Sequence, residues 1–149
     1  MGMLEEAMRI KKIHPTNVLM FKSGNFYKVF GKDSYILSSL LDYQINKVNE
    51  NIPTVGFPLN SIYKVRLKLE EEKINYMVIN PRNNYYVDTE ENFKNLNNYE
   101  KEFEIGYKQE KNKKKIRHIT AELQEITDKP YFKEVIRKME DVLDEARQI

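Results

Sequence analysis

The sequence predicts an α/β fold of the α+β kind, a mixed β-sheet with flanking helices, followed by a C-terminal helical hairpin. Runs of strand length alternate with helical patterns over residues 1–88, whereas residues 89–149 carry helical patterns only. Apolar residues make up 40% of the 149 residues and charged residues 32%. This balance favours one domain with a core and with polar helices attached to it.

A β-hairpin over residues 18–31 is the clearest local signal. Residues 18–21 (VLMF) form a continuous apolar run, typical of a strand buried on both faces, and a Ser-Gly-Asn turn follows at 23–25. Side chains alternate along the return strand, so Phe26 and Lys28 share one face. An aromatic ring beside a cation next to a turn can grip a ligand, although such a pair is also common as a half-buried ring and a solvated lysine.

Helices are predicted on both sides of this hairpin. Residues 3–13 have a narrow apolar face, and Pro15 ends the helix because the residue before a proline is pushed out of the helical region. Asp33 or Ser34 can cap a short helix after the hairpin. Another helix begins near residues 60–61 and ends in the charged run before residue 74.

Further strands complete the predicted sheet. Alternation of apolar and polar residues predicts a strand over 43–48, and brief extended segments are predicted at 54–58 and 85–87. The run INYMVI at 74–79 predicts a buried strand. The order of these elements describes a mixed sheet with helices packed against it.

The chain after residue 88 is predicted to be helical. Asp88 and Glu91 have the spacing of a capping box, and Gly106 is expected to break or kink the helix that follows. The apolar face of that helix comprises Phe93, Leu96, Tyr99 and Phe103. The boundary therefore falls between an α/β domain at 1–88 and a helical extension at 89–149, with helices at about 89–105, 107–127 and 130–147.

The last two helices form a hairpin around the turn TDKP at 127–130, and each has an apolar stripe that must be buried. The hairpin either folds back on the sheet or pairs with a second copy of itself. Its lean composition favours a homo-oligomer through the C-terminal helices.

The residues that enzymes use are scarce. There is no cysteine, and His14 and His118 have no carboxylate or second histidine at metal-ligand spacing. No GxxxxGK[ST] loop follows either glycine of the hairpin region. We expect no enzymatic activity, no cofactor and no metal. No apolar run approaches the roughly 20 residues of a membrane span, so a cytoplasmic protein without membrane contact is expected.

Positive charge is concentrated in one segment. Residues 108–118 carry six basic side chains and one acidic side chain, within a formal net charge of +2 for the whole chain. Wrapped on a helix, such a run attracts phosphates, but it is equally typical of a solvated helix. The predicted nucleic-acid-binding residues are Phe26, Lys28, Lys108, Lys111, Lys113, Lys114, Lys115 and Arg117.

Several of these segments, taken in order, resemble a known family. Residues 3–41 (MLEEAMRIKKIHPTNVLMFKSGNFYKVFGKDSYILSSLL) resemble the start of the mismatch-recognition domain of the MutS family. That domain opens with a helix, a proline loop, an apolar strand and a Gly-Asp-Phe-Tyr-Glu-Leu-Phe turn and strand. Residues 55–58 and 74–79 are similar to its later segments. The resemblance covers about 3–87, implies a fold like MutS domain I, and leaves out the helical tail.

The resemblance also implies roles for two residues. In the family, the phenylalanine of this turn stacks against a mispaired base from the minor groove, and the glutamate two residues later hydrogen-bonds to that base. Phe26 keeps the stacking group. Lys28 stands where the family has the glutamate, and an ammonium group only donates hydrogen bonds and is drawn to phosphates.

Stand-alone MutS-like proteins also occur as accessories in diversity-generating retroelements, so the resemblance implies a reverse transcriptase as a partner. We therefore expect a non-enzymatic accessory protein that binds DNA or RNA. Two alternatives stay open, namely a protein-interaction module that has lost nucleic-acid contact and a DNA mismatch-binding protein.

Overall fold

The structure, a computed structural model, describes residues 2–49, 51–93 and 98–149. The chain divides into two compact units, Met1–Glu110 and Lys111–Ile149. We call the first the sheet unit and the second the helical unit.

The sheet unit contains a mixed six-stranded sheet, as predicted. Its strands are β1 (Val18–Ser23), β2 (Phe26–Phe30), β3 (Asn46–Lys47), β4 (Pro53–Pro58), β5 (Tyr76–Asn80) and β6 (Tyr86–Glu91). They lie in the order β3-β4-β2-β1-β5-β6. Only the central pair β1 and β5 is parallel, and the other neighbours are antiparallel. The predicted hairpin is the pair β1 and β2, whose turn uses the positive φ of Gly24 (+60°).

Helices cover both faces of this sheet. They are α1 (Met3–Ile13), α2 (Lys32–Leu41), α3 (Ile62–Glu71) and the start of α4 (Asn98–Glu125), while α5 (Phe132–Arg147) belongs to the helical unit. Leu19 and Phe21 of β1 point to the core under α1, whereas Val18 and Met20 point to the core under α2 and α3. All four side chains are at most 1% exposed. The two-sided core explains why β1 is apolar at every position from 18 to 21.

The predicted strand over 43–48 is wrong in its length, because only Asn46–Lys47 pairs with β4. Tyr43 and Ile45 pack against the core instead, and the ring of Tyr43 stacks on Phe57 with 5.8 Å between centroids. Burial of these two side chains under the sheet edge therefore outweighs the extension of the strand.

The predicted helix over 89–105 is wrong at its beginning. Strand β6 continues to Glu91 and includes Asp88, so the capping box does not form. Backbone pairing decides this, since Glu90 and Glu91 lie opposite Met77 and Tyr76 of β5, which would otherwise be an unpaired edge. Leu96 of the predicted apolar face lies outside the described residues.

Gly106 neither breaks nor kinks the chain, because α4 is continuous through it. The glycine is buried where α4 crosses α2, and a Cβ atom there would lie 2.1 Å from the Tyr35 carbonyl oxygen. Tyr99 and Phe103 of the same helix pack against the sheet core. The sheet unit consequently extends to Glu110, rather than ending at residue 88 as predicted.

The helical unit is the predicted antiparallel helical hairpin, formed by α4 from Lys111 onward and by α5. Every residue from 111 to 149 is at least partly exposed. A shallow groove of about 450 Å³ lies between its two helices, with Ile119, Leu123, Val135 and Met139 in its walls. None of the helices in the described ranges combines the length and apolar character of a membrane crossing.

Candidate nucleic-acid interface

Phe26 and Lys28 lie side by side on one face of β2, where the predicted alternation places them. Phe26 follows the turn directly and is 49% exposed, opposite Ser23 of β1 and Pro58 of β4. Lys28 is also exposed, opposite Phe21 and Gly56. The structure therefore presents a ring and a cation together at the hairpin end of the sheet.

This face of the sheet is the one that α1 partly covers. Ala7 and Ile10 of α1 pack on Leu19 and Phe21, and Phe30 packs against the edge of the same cluster. Phe26 and Lys28, on the same face, remain exposed. The uncovered part of the face is thus the end of β2 that leaves the turn.

A groove of about 440 Å³ lies beside Lys28, between the first turn of α1 and strands β2, β3 and β4. Lys28 and Lys47 are the two charged residues that line it, with Phe30, Thr54 and Gly56 among the others. Among the described residues, neither lysine forms a hydrogen bond or an ion pair. Sequence reasoning did not single out Lys47, which lies opposite Pro53 and therefore on the face of the sheet away from Lys28 and Gly56.

The junction between β2 and α2 is held by a buried carboxylate that was predicted only as a helix cap. Asp33 is 1% exposed and accepts hydrogen bonds from Lys11 Nζ at 2.5 Å, the Leu19 backbone N–H at 3.0 Å and the Tyr99 hydroxyl at 2.5 Å. The cap residue of α2 is instead Gly31, with φ +66°. Asp33 therefore ties α1, β1 and α4 to the helix that follows Lys28 and Phe30.

Burial perturbs the ionisation of this cluster. It raises the pKa of the Asp33 carboxyl, against the opposing effects of Lys11 and the hydrogen bonds that the carboxyl accepts. It lowers the pKa of Lys11 and raises that of the Tyr99 hydroxyl, which also lies against Asp33. The cluster joins α1, β1 and α4 to the start of α2, because Lys11, Leu19 and Tyr99 all donate to the Asp33 carboxyl.

An apolar cleft of about 470 Å³ lies on the other side of α1, with Ala7, Met8 and Phe21 in its walls and Lys12 and Lys32 at its rim. Lys32 forms a long ion pair with Glu100 at 3.4 Å, and both side chains are about half exposed. In the part of the chain that the structure describes, no group of three or more His, Asp or Glu side chains could hold a metal ion.

The six predicted basic residues of the segment 108–117 all lie on α4. Lys108 belongs to the sheet unit, whereas Lys111, Lys113, Lys114, Lys115 and Arg117 belong to the helical unit. Lys111 and Lys115 share one face of the helix, and Lys113 and Arg117 lie on the opposite face, because 3.6 residues complete a turn. All are exposed except Lys113, which is partly buried. The charge therefore surrounds the helix, as the sequence predicted.

A family model described as MutS domain I matches residues 1–79, more than half of the 149 residues. The chain belongs to the MutS domain I family. The matched region contains α1, the hairpin with Phe26 and Lys28, the strand with Lys47, and β5 except for its last residue. The resemblance seen in the sequence is thereby confirmed, and so is the fold that it implied.

The curated proteins that match part of this chain include two DNA mismatch repair proteins. Both are DNA mismatch repair protein MutS, from Leptospira interrogans serogroup Icterohaemorrhagiae serovar copenhageni (strain Fiocruz L1-130) and serovar Lai (strain 56601). Each is 37% identical over 59 residues, which is 40% of this chain and 7% of the relative. The match thus spans about one fourteenth of the length of these curated relatives.

Proposed function

We propose that this chain is a non-enzymatic nucleic-acid-binding protein that contacts DNA through its MutS domain I region. The observation that carries the proposal is the half-exposed ring of Phe26 beside the exposed Lys28 on the uncovered part of the sheet. A ring that protrudes next to a cation can stack on a base while the ammonium group binds the backbone. The names of the two relatives support DNA as the nucleic acid.

The test is a binding measurement by fluorescence anisotropy with labelled duplex DNA over a salt series. Phe26→Ala should weaken binding about 5- to 150-fold, because a base–aromatic contact contributes roughly 1–3 kcal/mol. Thermal stability should change little, since half of the ring is already in solvent. Tyr63→Ala is the matched control, because Tyr63 is a 75% exposed ring on α3. Absence of binding at low salt would refute the proposal.

Mismatch recognition is a more specific form of DNA binding. Phe26 supports it, whereas Lys28 argues against it, because an ammonium group cannot accept a hydrogen bond from a base edge. Parallel titrations with a fully paired duplex and the same duplex containing one G·T mispair decide the question. Equal affinities would remove mismatch recognition and leave general DNA binding intact.

The cellular role that we propose is that of an accessory to a reverse transcriptase of a diversity-generating retroelement. Its support is the resemblance together with the basic segment at 108–117, which suits a partner that carries nucleic acid. The test is whether a reverse transcriptase gene lies beside the gene for this chain and whether that purified enzyme binds the full chain. Absence of the neighbouring gene, or of binding by the purified enzyme, would contradict this role. The proposal of DNA binding would still stand.

A protein-interaction module is the second candidate, and the helical unit favours it. Ile116, Val142 and Leu143 are each more than half exposed, and the groove between α4 and α5 has apolar walls. Two helices alone cannot enclose a core, so such faces are commonly covered by further helices. A homo-oligomer through these helices is the simplest form of this candidate.

A further inference from the structure

We propose that the apolar cleft beside α1 binds a small amphipathic anion, that is, an apolar hydrocarbon or aromatic body that carries one carboxylate. The cleft lies between α1, strand β1 and the junction of β2 with α2, and neither Phe26 nor Lys28 lines it. Binding there is independent of the proposed contact with DNA. Three features of the cleft support it, namely its size, its walls and the charge at its rim.

The cleft has the size of a small-molecule site. Its volume is about 470 Å³, within the roughly 300–1,000 Å³ that such sites occupy. Gly31 forms part of the lining, and a Cβ atom built on it would meet nothing within 4 Å. Its positive φ of +66° favours glycine, so this part of the wall carries no side chain. The cleft is therefore wide enough for a ligand of several carbon atoms.

The walls of the cleft include large apolar side chains that are partly in solvent. Met8 of α1 is 46% exposed, and Phe30 at the end of β2 is partly exposed. The ring of Phe30 lies 6.1 Å from the ring of Phe21, measured between centroids, so the two rings form one aromatic wall. An apolar ligand would remove this surface from water, which is favourable. The walls therefore select the apolar body of the ligand.

Two oppositely charged lining residues already neutralise each other at the inner end of the cleft. The ammonium group of Lys11 donates to the Asp33 carboxyl at 2.5 Å and to the Asn17 carbonyl oxygen at 2.6 Å. Asp33 is almost completely buried. This pair therefore leaves little attraction for a charged ligand group.

The rim of the cleft, in contrast, has positive charge to spare. Within the described ranges, the ammonium group of the exposed Lys12 has no hydrogen bond or ion pair. Lys32 reaches Glu100 at 3.4 Å, and because both side chains are about half exposed this pair contributes little. A carboxylate at the rim can therefore pair with Lys12 and compete with Glu100 for Lys32.

The combination of walls and rim distinguishes the ligand class. A nucleic-acid strand brings several phosphates and requires a row of cations, whereas the lining residues sum to one excess positive charge. An uncharged apolar molecule gains nothing from Lys12, and a cation is repelled by it. A molecule with an apolar body and one negative charge uses both features.

Three probes with the same hydrocarbon body test the charge preference on the full chain, namely octanoate, 1-octanol and octyltrimethylammonium. Isothermal titration calorimetry measures the affinity of each. NMR spectra of the protein labelled at its methionine methyl groups locate the bound probe, because Met8 lines the cleft and Met139 lines the groove between α4 and α5.

Two substitutions test the residues that the site requires. Lys12→Gln removes the unpaired charge, and Met8→Glu places a carboxylate on the apolar wall at a position that is already 46% exposed. Lys64→Gln is the control for the first, since this exposed lysine of α3 lies outside the cleft. Met139→Glu is the control for the second, because it makes the same change in the other apolar groove.

We expect octanoate to bind more tightly than octanol, and octanol more tightly than octyltrimethylammonium, with a shift of the Met8 methyl signal and none of Met139. Lys12→Gln should weaken octanoate binding about 2- to 5-fold, as expected for an exposed ion pair, and leave octanol binding unchanged. Met8→Glu should weaken octanoate binding about 10-fold. Both controls should change it less than about twofold.

Equal affinities for the three probes, a shift at Met139 instead of Met8, or no binding of octanoate at about 10 mM would overturn this inference, since that concentration fills even a site with a Kd of about 1 mM. Circular dichroism checks that Met8→Glu is folded. If it is not, Lys12→Gln at an exposed position decides, and an unchanged octanoate affinity in that variant contradicts the site. None of these outcomes bears on DNA binding.

Discussion

Asp33 shows how one residue acquires its role from the residues that surround it. In the sequence it stands at the start of a helix, where aspartate commonly caps the backbone. In the structure its carboxyl group is buried and accepts from Lys11, Leu19 and Tyr99, which come from three other elements. A carboxylate in this position costs desolvation free energy that only its complete set of donors offsets.

We expect Asp33→Asn to lower the free energy of unfolding by about 3 kcal/mol, because the change leaves the ammonium group of Lys11 without its counter-charge. Urea denaturation followed by circular dichroism measures it. Asp128→Asn is the control, since Asp128 is exposed in the turn between α4 and α5, and it should change stability by less than about 0.5 kcal/mol. Equal midpoints for the two variants would contradict the anchoring role of Asp33.

The continuity of helix α4 through Gly106 is explained only by its tertiary contacts. Glycine is unfavourable inside a helix and Gly106 therefore predicts a break, yet the helix is continuous from Asn98 to Glu125. The reason is the close crossing with α2, where the Tyr35 backbone occupies the space of a side chain. Around this crossing the rings of Tyr35, Phe103 and Tyr107 pack with centroids 5.4–5.8 Å apart.

Gly106→Ala should therefore destabilise the protein, although the same change in an ordinary helix interior stabilises by nearly 1 kcal/mol. The added Cβ would lie 2.1 Å from the Tyr35 oxygen and 2.7 Å from its carbonyl carbon, both backbone atoms that cannot rotate away. We expect a loss of about 2–3 kcal/mol in urea denaturation. Glu104→Ala, at an exposed position of the same helix, should be nearly neutral. A gain of stability for Gly106→Ala would show that the crossing is loose.

At the scale of the whole molecule, the two candidate functions differ in whether they depend on charge. The segment 108–118 carries six basic side chains and one acidic, whereas residues 119–149 carry five basic and eight acidic side chains. Binding through phosphates uses the first segment and depends on salt, while an interaction module uses the apolar groove between α4 and α5. The two functions can therefore be removed separately.

Reversal of Lys113, Lys114 and Lys115 to glutamate should weaken duplex DNA binding at least 10-fold and lower the slope of log affinity against log salt by about 2. Anisotropy over a salt series measures both quantities, and sedimentation velocity on the same samples measures self-association. An interaction module that buries the apolar groove should keep its self-association in this variant.

The matched control carries the same change of charge on another helix, with glutamate at Lys64, Lys68 and Lys73 on or just after α3. If both triple variants lose affinity equally, net charge explains the effect, and the segment on α4 has no special part in binding.

Local sequence patterns were sufficient to predict most elements of the sheet unit. The run VLMF, the Ser-Gly-Asn turn and the alternation after it predicted the hairpin at its observed position, and with it the shared face of Phe26 and Lys28. These features depend on neighbours within a few residues, which a sequence displays directly. The family resemblance added the fold, because it compares several such segments in order.

Contacts between distant residues were decided only by the tertiary structure. Strand β3 borders the groove beside Lys28 through its pairing with β4, Glu91 joins β6 because β5 offers an edge, and Gly106 stays helical because α2 lies against it. In each case the free energy of pairing or burial outweighs a local preference of a few tenths to one kcal/mol. The local sequence determines most of the strands and the exposed ring of Phe26, and the packing of the whole chain determines which distant segments lie beside that ring.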